Sequence, residues 1–377
     1  MDLIKLIESR LAEGNDDSFY ILNLEDVRLK YRLWMEKIPR VVPYYAVKCN
    51  DLEEVLNTLR DLGAGFDCAS KKEIHQMLAL NVDKEKILYT HTAKQISHLK
   101  YSAEQNIEKI TFDSVEELEK IKKVHPNAKV VLRIRFDAAS SIINLGIKFG
   151  CDPIKEAPKF IELCKDMNMN LIGISFHVGS GTQDFGIFER ALATVRELFD
   201  FAATIGFKLN FVDIGGGFIG ENISLLDNYA KSINTGIDKN FPSSNEVEIV
   251  AEPGRYFVDS AFSIATQIVL KKSGTDGQIH YYLNESIYMS FLIAFLYKSD
   301  LKFTIIRKSK MENETKSEKL STLWGCTCNS MDKIMGDCMM KEMEIGDWLI
   351  FHNMGAYTLT VSTKFNGFEN NKVFILK

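Results

Sequence analysis

The 377-residue sequence has no apolar run long enough to cross a bilayer, no cluster of basic residues and no cysteine pair at zinc-finger spacing. Each absence removes a class of function. Without the first there is no membrane-spanning helix. Without the second, and with a formal net charge of −5, there is no electrostatic hold on nucleic acid. The third leaves no metal centre, because Cys326 and Cys328 are one residue apart and no histidine pair stands near them. The seven cysteines are an odd number, and the amphipathic, acidic start "MDLIKLIESRLAEGNDD" is unlike a signal or transit peptide. Reduced thiols and a cytoplasmic location are therefore expected. Internal repeats and low-complexity tracts are missing too. What is present is ordinary for a globular enzyme: 46% hydrophobic and 26% charged residues, in a chain too long for one small core.

The middle of the chain alternates in period. Eight short runs are apolar almost throughout: "VVPYYAVK", "AGFDCA", "KILYTH", "KITFDS", "KVVLRIRF", "LIGISFHVG", "FVDIGGG" and "EIVAEPGR". Segments with i, i+3, i+4 apolar spacing separate them, such as "DLEEVLNTLRDL" and "FGIFERALATVRELFDFAATIG". Asp113 and Ser114 before "VEELEK" predict a helix start with early acids. Continuous apolar runs suit parallel strands buried on both faces. With helical crossovers they predict an α/β fold, a (β/α)8 barrel over residues 30–255; an open doubly wound sheet is the alternative, since strand number alone does not show closure. Beyond Arg255 the runs are strand-rich and lack regular helical spacers, from "YFVDSAFSIATQIVLKKS" to "NKVFILK". They predict an antiparallel β domain of residues 256–377, joined by residues 1–29 through "FYILNL" at 19–24. The charge-dense run 307–319, "RKSKMENETKSEK", predicts a solvated, partly disordered loop.

In a β/α barrel the C-terminal strand ends share one rim, and active sites sit there. Lys48 ends the first run and Asp67 the second; His91, Asp113, Arg133 and His177 follow. Gly215, Gly216 and Gly217 end the seventh run, and Glu252 with Arg255 ends the eighth. Each alone reads as a solvated strand end, Lys48 included, whose ammonium can reach water from a buried stem. Gathered on one rim they predict a polar pocket. "DIGGGF" lets backbone amides approach an anion without Cβ obstruction, and Arg255 adds a fork suited to phosphate. An amine, a phosphate cradle and an acid are what pyridoxal phosphate needs: the amine to hold its aldehyde, the acid to keep its ring nitrogen protonated.

The stretches "YAVKCN", "FDCASKKEI", "FHVGSGTQD", "DIGGGF", "AEPGRYFV" and "NMGAYT", in that order, resemble the eukaryotic ornithine decarboxylase family from about residue 19 onward. That resemblance implies an alanine-racemase-like fold and decarboxylation of ornithine to putrescine for polyamine biosynthesis. It implies that Lys48 is the cofactor's lysine, that Glu252 pairs with its ring nitrogen, and that Asp67, Glu73 and Arg133 support the site. His177 would stack on the ring, with Ser180, Gly215, Gly216, Gly217, Gly254, Arg255 and Tyr357 around the phosphate. Cys328 and Phe365 resemble residues donated by the second subunit of a homodimer with shared active sites, Cys328 helping to protonate the product. Lys148 and Asp332 resemble an ion pair between subunits. The chain stops soon after "FNGFENNKVFILK", so the long C-terminal extension of some animal homologues, with its degradation signal, is not expected.

Two departures bear on substrate. Asn329 follows Cys328 where the family has an aspartate, and "FLYKSD" has Lys298 after Tyr297 where a second acid is expected. Asp300 and Glu285 are the acids nearest in sequence that could meet the distal amine. Two further readings follow. One is a decarboxylase of another amino acid, such as lysine or arginine. The other is a catalytically silent homologue that binds an antizyme-like partner, against which the complete cofactor set speaks.

Overall fold

In the computed structural model, residues 3–138, 145–242, 247–275, 277–298, 300–307 and 318–376 are described. The chain divides into two units, Arg28–Phe257 and Met1–Val27 with Val258–Lys377. Among the described residues no helix is long and apolar enough to cross a membrane. Residues 308–317 of the expected polar loop lie outside them.

After a first strand, β1 (Phe19–Leu22), the eight apolar runs form β2 (Val42–Ala46), β3 (Gly65–Cys68), β4 (Ile87–Tyr89), β5 (Lys109–Phe112), β6 (Lys129–Arg135), β7 (Asn170–His177), β8 (Phe211–Asp213) and β9 (Glu248–Ala251). All neighbours are parallel, and β9 returns to β2 through Val42–Val250, so the sheet is a closed barrel and not an open one. Tyr44, Leu88, Val131, Phe211 and Val250 fill its interior as one apolar cluster. Below them Lys109 Nζ bonds to the Glu85 carbonyl (3.0 Å) and the Glu248 carboxylate (3.2 Å), with the Tyr44 hydroxyl on the same carboxylate at 3.1 Å. This charged plug occupies the N-terminal end of the strands, which leaves the C-terminal rim for chemistry.

Two crossover helices, Lys71–Ala79 and Val115–Val124, start on serine side-chain caps. Ser114 accepts the Glu117 N–H (3.3 Å) at the head of Val115–Val124, as its sequence predicts. A helix over Leu24–Lys37, which its mixed charge pattern did not suggest, buries Trp34 completely; its indole N–H donates to the Val41 carbonyl at 2.9 Å.

Glu117 also takes Lys94 Nζ at 3.2 Å, and both side chains are buried. Burial pulls Lys94 down to about 8, only partly offset by Glu117. Glu117→Ala should therefore cost about 3–5 kcal/mol, because it strands a buried ammonium. The pH dependence has a definite sign. Lysine in the unfolded chain titrates near about 10.4. Between about pH 8 and 10 the unfolded chain thus binds more protons at this residue, and stability rises with pH. Urea midpoints across that window should climb in the wild type relative to Lys94→Met; a parallel course for the two would refute this.

The second unit adds β10 (Phe262–Ser273), β11 (Ile279–Leu283), β12 (Phe303–Ile306), β13 (Glu318–Trp324), β14 (Lys333–Lys341), β15 (Trp348–Phe351) and β16 (Lys372–Ile375). The sheet runs β12-β15-β10-β11-β13-β14, with β1 beside β10 and β16. It is largely antiparallel, as expected, and two pairs differ: β1 pairs with β16, and β11 with β13, in parallel. Hairpin turns force antiparallel neighbours, but these pairs are not joined by hairpins. β1 and β16 come from opposite ends of the chain. Between β11 and β13 lie β12 and a helix, Leu292–Tyr297, inside a stretch that reads as strand in sequence.

Candidate active site

The parallel register sets the rim. Ala46 pairs with Asp67, Arg133 with Ser175, and Ser175 with Asp213, so strand ends far apart in sequence sit at one level of the barrel. Lys48 follows β2 on a single 3-10 turn, Val47–Cys49. Its ammonium pairs with the carboxylate of Asp67, whose side chain is 0% exposed against 42% for Lys48. The other Asp67 oxygen accepts from the Thr90 hydroxyl. The lysine thus has one end of its reach fixed on a buried anion and the rest open at the mouth.

One wall, made by the ends of β7, β8 and β9, carries His177, Asp213 and Glu252, which line one narrow polar space with Thr90, Thr111 and Arg133; β9 is the neighbour of β2 in the closed barrel. His177 Nδ1 accepts the Gly179 N–H at 3.0 Å, which puts the ring proton on Nε2. Burial, then the charges of Arg133 and Lys48, hold this histidine well below its usual range, so the imidazole is neutral. Burial and the neighbouring Asp67 raise Glu252, against the pull of Lys48 and Arg133. The hydroxyls of Thr111 and Ser175 are buried without a hydrogen-bond partner.

The glycine turn after β8 closes this wall. Gly217 has φ +99°, and a Cβ there would come within 2.0 Å of the Gly179 carbonyl oxygen; at Gly216 it would meet the Glu252 carbonyl oxygen at 2.5 Å and His177 Nε2 at 3.1 Å. Only glycine fits either position. The Gly215 carbonyl accepts the Glu252 N–H at 2.7 Å, so the trans peptide turns the Gly216 N–H the other way, as an anion-binding turn requires. Ser180 and Arg255 are half-buried. Gly254 packs on Cys49, where a Cβ would lie 2.9 Å from the cysteine Cβ. Glu73 accepts the Ala69 N–H and so holds the turn after Asp67. An amine, an acid beside a neutral imidazole, and a glycine turn free of side chains fit the aldehyde, ring nitrogen and phosphate of pyridoxal phosphate.

Lys148 is exposed on the loop after β6, its Nζ 5.0 Å from the Phe149 ring. The remaining expected residues belong to the second unit. Cys328 is exposed, and its N–H donates to Asn366 Oδ1 at 3.0 Å. The Asn329 amide donates to the Tyr288 hydroxyl at 2.8 Å while its oxygen accepts the Met331 N–H at 2.9 Å. Tyr288 in turn packs on Phe365, centroids 4.9 Å apart. These residues form one patch. Tyr297 is exposed, Lys298 ends its helix at φ +50°, and Asp300 is exposed. Tyr357 is half-buried at φ +55°.

One expectation needs correcting. Glu285 cannot serve a substrate amine. It is 0% exposed, and its oxygens accept from Ser18, Ser290, Asn371 and the Ser286 N–H. Asp332 is 1% exposed, and its oxygens take the N–H groups of Ile287 and Thr327 and the hydroxyls of Ser286 and Thr327. Within one chain it organises the loop that carries Cys328. Sequence reading also passed over Thr90 and Asp213. Asp213 stands in the quoted "DIGGGF", where the glycines drew the attention.

Residues 24–259 match the pyridoxal-binding domain of the pyridoxal-dependent decarboxylases. Ornithine decarboxylase of Mus musculus is 40% identical over 96% of this chain and 81% of its own length. Antizyme inhibitor 2 of Xenopus laevis is 40% identical over 99% of this chain and 84% of its own. Among solved structures, the arginine decarboxylase of Paramecium bursaria Chlorella virus, bound to agmatine, superposes with a TM-score of 0.93 at 36% identity, covering 99% of this chain and 100% of that one.

Proposed function

The chain belongs to the pyridoxal-dependent decarboxylases, and from that premise we propose that it removes carbon dioxide from L-ornithine to give putrescine. The observation that carries this is the Lys48–Asp67 pair on the same barrel rim as Glu252 and the glycine turn, in a chain 40% identical to an ornithine decarboxylase. Pyridoxal phosphate supplies the electron-accepting ring on which the carboxylate bond is cleaved. Lys48 Nζ would hold its aldehyde carbon and, once released by substrate, act as a proton carrier at the mouth. Asp67 and Thr90 orient that amine. Glu252 would keep a proton on the ring nitrogen, and neutral His177 would pack on the ring without adding charge. Gly215, Gly216, Gly217, Gly254, Ser180 and Arg255 would bind the phosphate, with Arg133 bracing the acid.

We further infer a homodimer with shared sites. Phe365 is 41% and Met331 62% exposed beside Cys328, an apolar patch suited to a second copy. Seven free cysteines agree with a reducing compartment such as the cytoplasm.

The arginine reading rests on the viral relative, and the silent reading on the antizyme inhibitor. The retained Lys48 and Glu252 speak against the second. Purified protein with pyridoxal phosphate, offered ornithine, lysine and arginine separately, should release most product as putrescine. Agmatine or cadaverine in excess would overturn the substrate; no product from any of the three would favour the silent reading.

Asn329 presents a neutral amide to the distal ammonium. Asn329→Asp keeps both local bonds, since the Tyr288 hydroxyl can donate instead. A charge-assisted bond worth roughly 1.5–3 kcal/mol should then lower KM for ornithine by about tenfold or more, with little change in kcat. An unchanged KM would assign the amine to another acid, with Asp300 first.

A further inference from the structure

Asp213 ends β8 two residues before Gly215, and it is 1% exposed. Its Oδ1 accepts the Gly215 N–H at 2.8 Å. Its carboxyl lines the same narrow polar space as that of Glu252, within hydrogen-bonding reach of it. Glu252 closes the figure, since its own N–H donates to the Gly215 carbonyl at 2.7 Å. Two hydrogen bonds to the Gly215 peptide thus tie Asp213 and Glu252 to one glycine turn.

Two carboxyls share a hydrogen bond only when one of them carries a proton. The surroundings say which. The charged groups facing the pair are Asp67 from β3, Lys48 from the turn after β2 and Arg133 from β6, with neutral His177 from β7. Three carboxyls against two cations leave one negative charge too many for a buried cluster. Lys48 and Arg133 favour the charged form of Glu252. Asp213 is pushed well above its usual range, first by burial and then by Glu252 itself.

We propose that Asp213 is a positioning residue: a neutral carboxyl that donates its proton in a hydrogen bond to Glu252, holding that side chain as an aimed carboxylate and tying it to the glycine turn. The inference rests on the reading of Glu252 as the cofactor's acid. It makes the acid and the phosphate turn one rigid unit, so displacing either should disturb the other.

The test uses the full chain with pyridoxal phosphate bound and no substrate. Asn offers the same shape, an N–H donor for Glu252 and an acceptor for Gly215. Asp213→Asn should hold the cofactor within about threefold of wild type, whereas Asp213→Ala should weaken it by about tenfold or more, because a buried bond to a charged acceptor is lost. With carbon-13 in the aspartate carboxyls, the infrared spectrum at pH 7 should contain a protonated-carboxyl band in the wild type that both variants lack. A wild type without that band, or Asn weakening binding as much as Ala, overturns the proposal. If Ala fails to fold, the band and the Asn variant still decide it. Failure of the decarboxylase reading would be seen separately, as missing product despite normal cofactor binding and an intact band.

Discussion

Lys48→Ala should yield a folded chain whose decarboxylase rate is lower by at least about a hundredfold, the range lost with a proton-transferring group. Reduction with borohydride should fix the cofactor to the peptide containing residue 48 in the wild type and to no peptide in the variant. Lys48→Arg separates the two jobs of the side chain. A guanidinium can still face the buried carboxylate of Asp67, but it remains protonated and is no nucleophile toward an aldehyde. Lys48→Arg should therefore match Lys48→Ala in activity while keeping a Tm nearer to wild type, because it leaves Asp67 paired. Label on Lys94 or Lys109 instead of Lys48 would remove Lys48 from the chemistry.

Mixing two inactive variants should restore activity. Lys48 stands on the barrel rim, and Cys328 on the exposed patch with Asn329, Tyr288 and Phe365. If each site is completed by the second copy, a Lys48→Ala chain paired with a Cys328→Ala chain has one site lacking both residues and one lacking neither. With free exchange, half the dimers are mixed and half their sites intact, so about a quarter of wild-type activity should return. Each variant alone should stay at its own low level, and activity should fall on dilution below the dimer's dissociation constant. No recovery after exchange has been verified by mass would mean that sites are not shared.

The pattern of residues alone determined the strands of the barrel and the polar groups at their ends. Strands buried on both faces must be apolar at nearly every position, and the polar residue that ends such a run is a local feature. Lys48, Asp67, His177 and Glu252 were legible for that reason, as were the glycines of "DIGGGF". The Ser114 cap was legible because capping acts over three residues.

Tertiary structure decided whatever joins residues distant along the chain. Closure rests on Val42 meeting Val250, a pairing that no local period encodes. The parallel partners of β1 and β11 depend on long connections, which leave strand direction free. Glu285 reads as an available acid in sequence, and Asp332 as half of an ion pair between subunits. In the fold, hydroxyls, an asparagine and backbone N–H groups take up their oxygens. Asp213 is the sharpest case. In sequence it is one acid before a glycine turn; what raises its carboxyl is burial together with a second carboxyl, Glu252, 39 residues away at the end of the next strand, in an interior too poor in water to favour two charges.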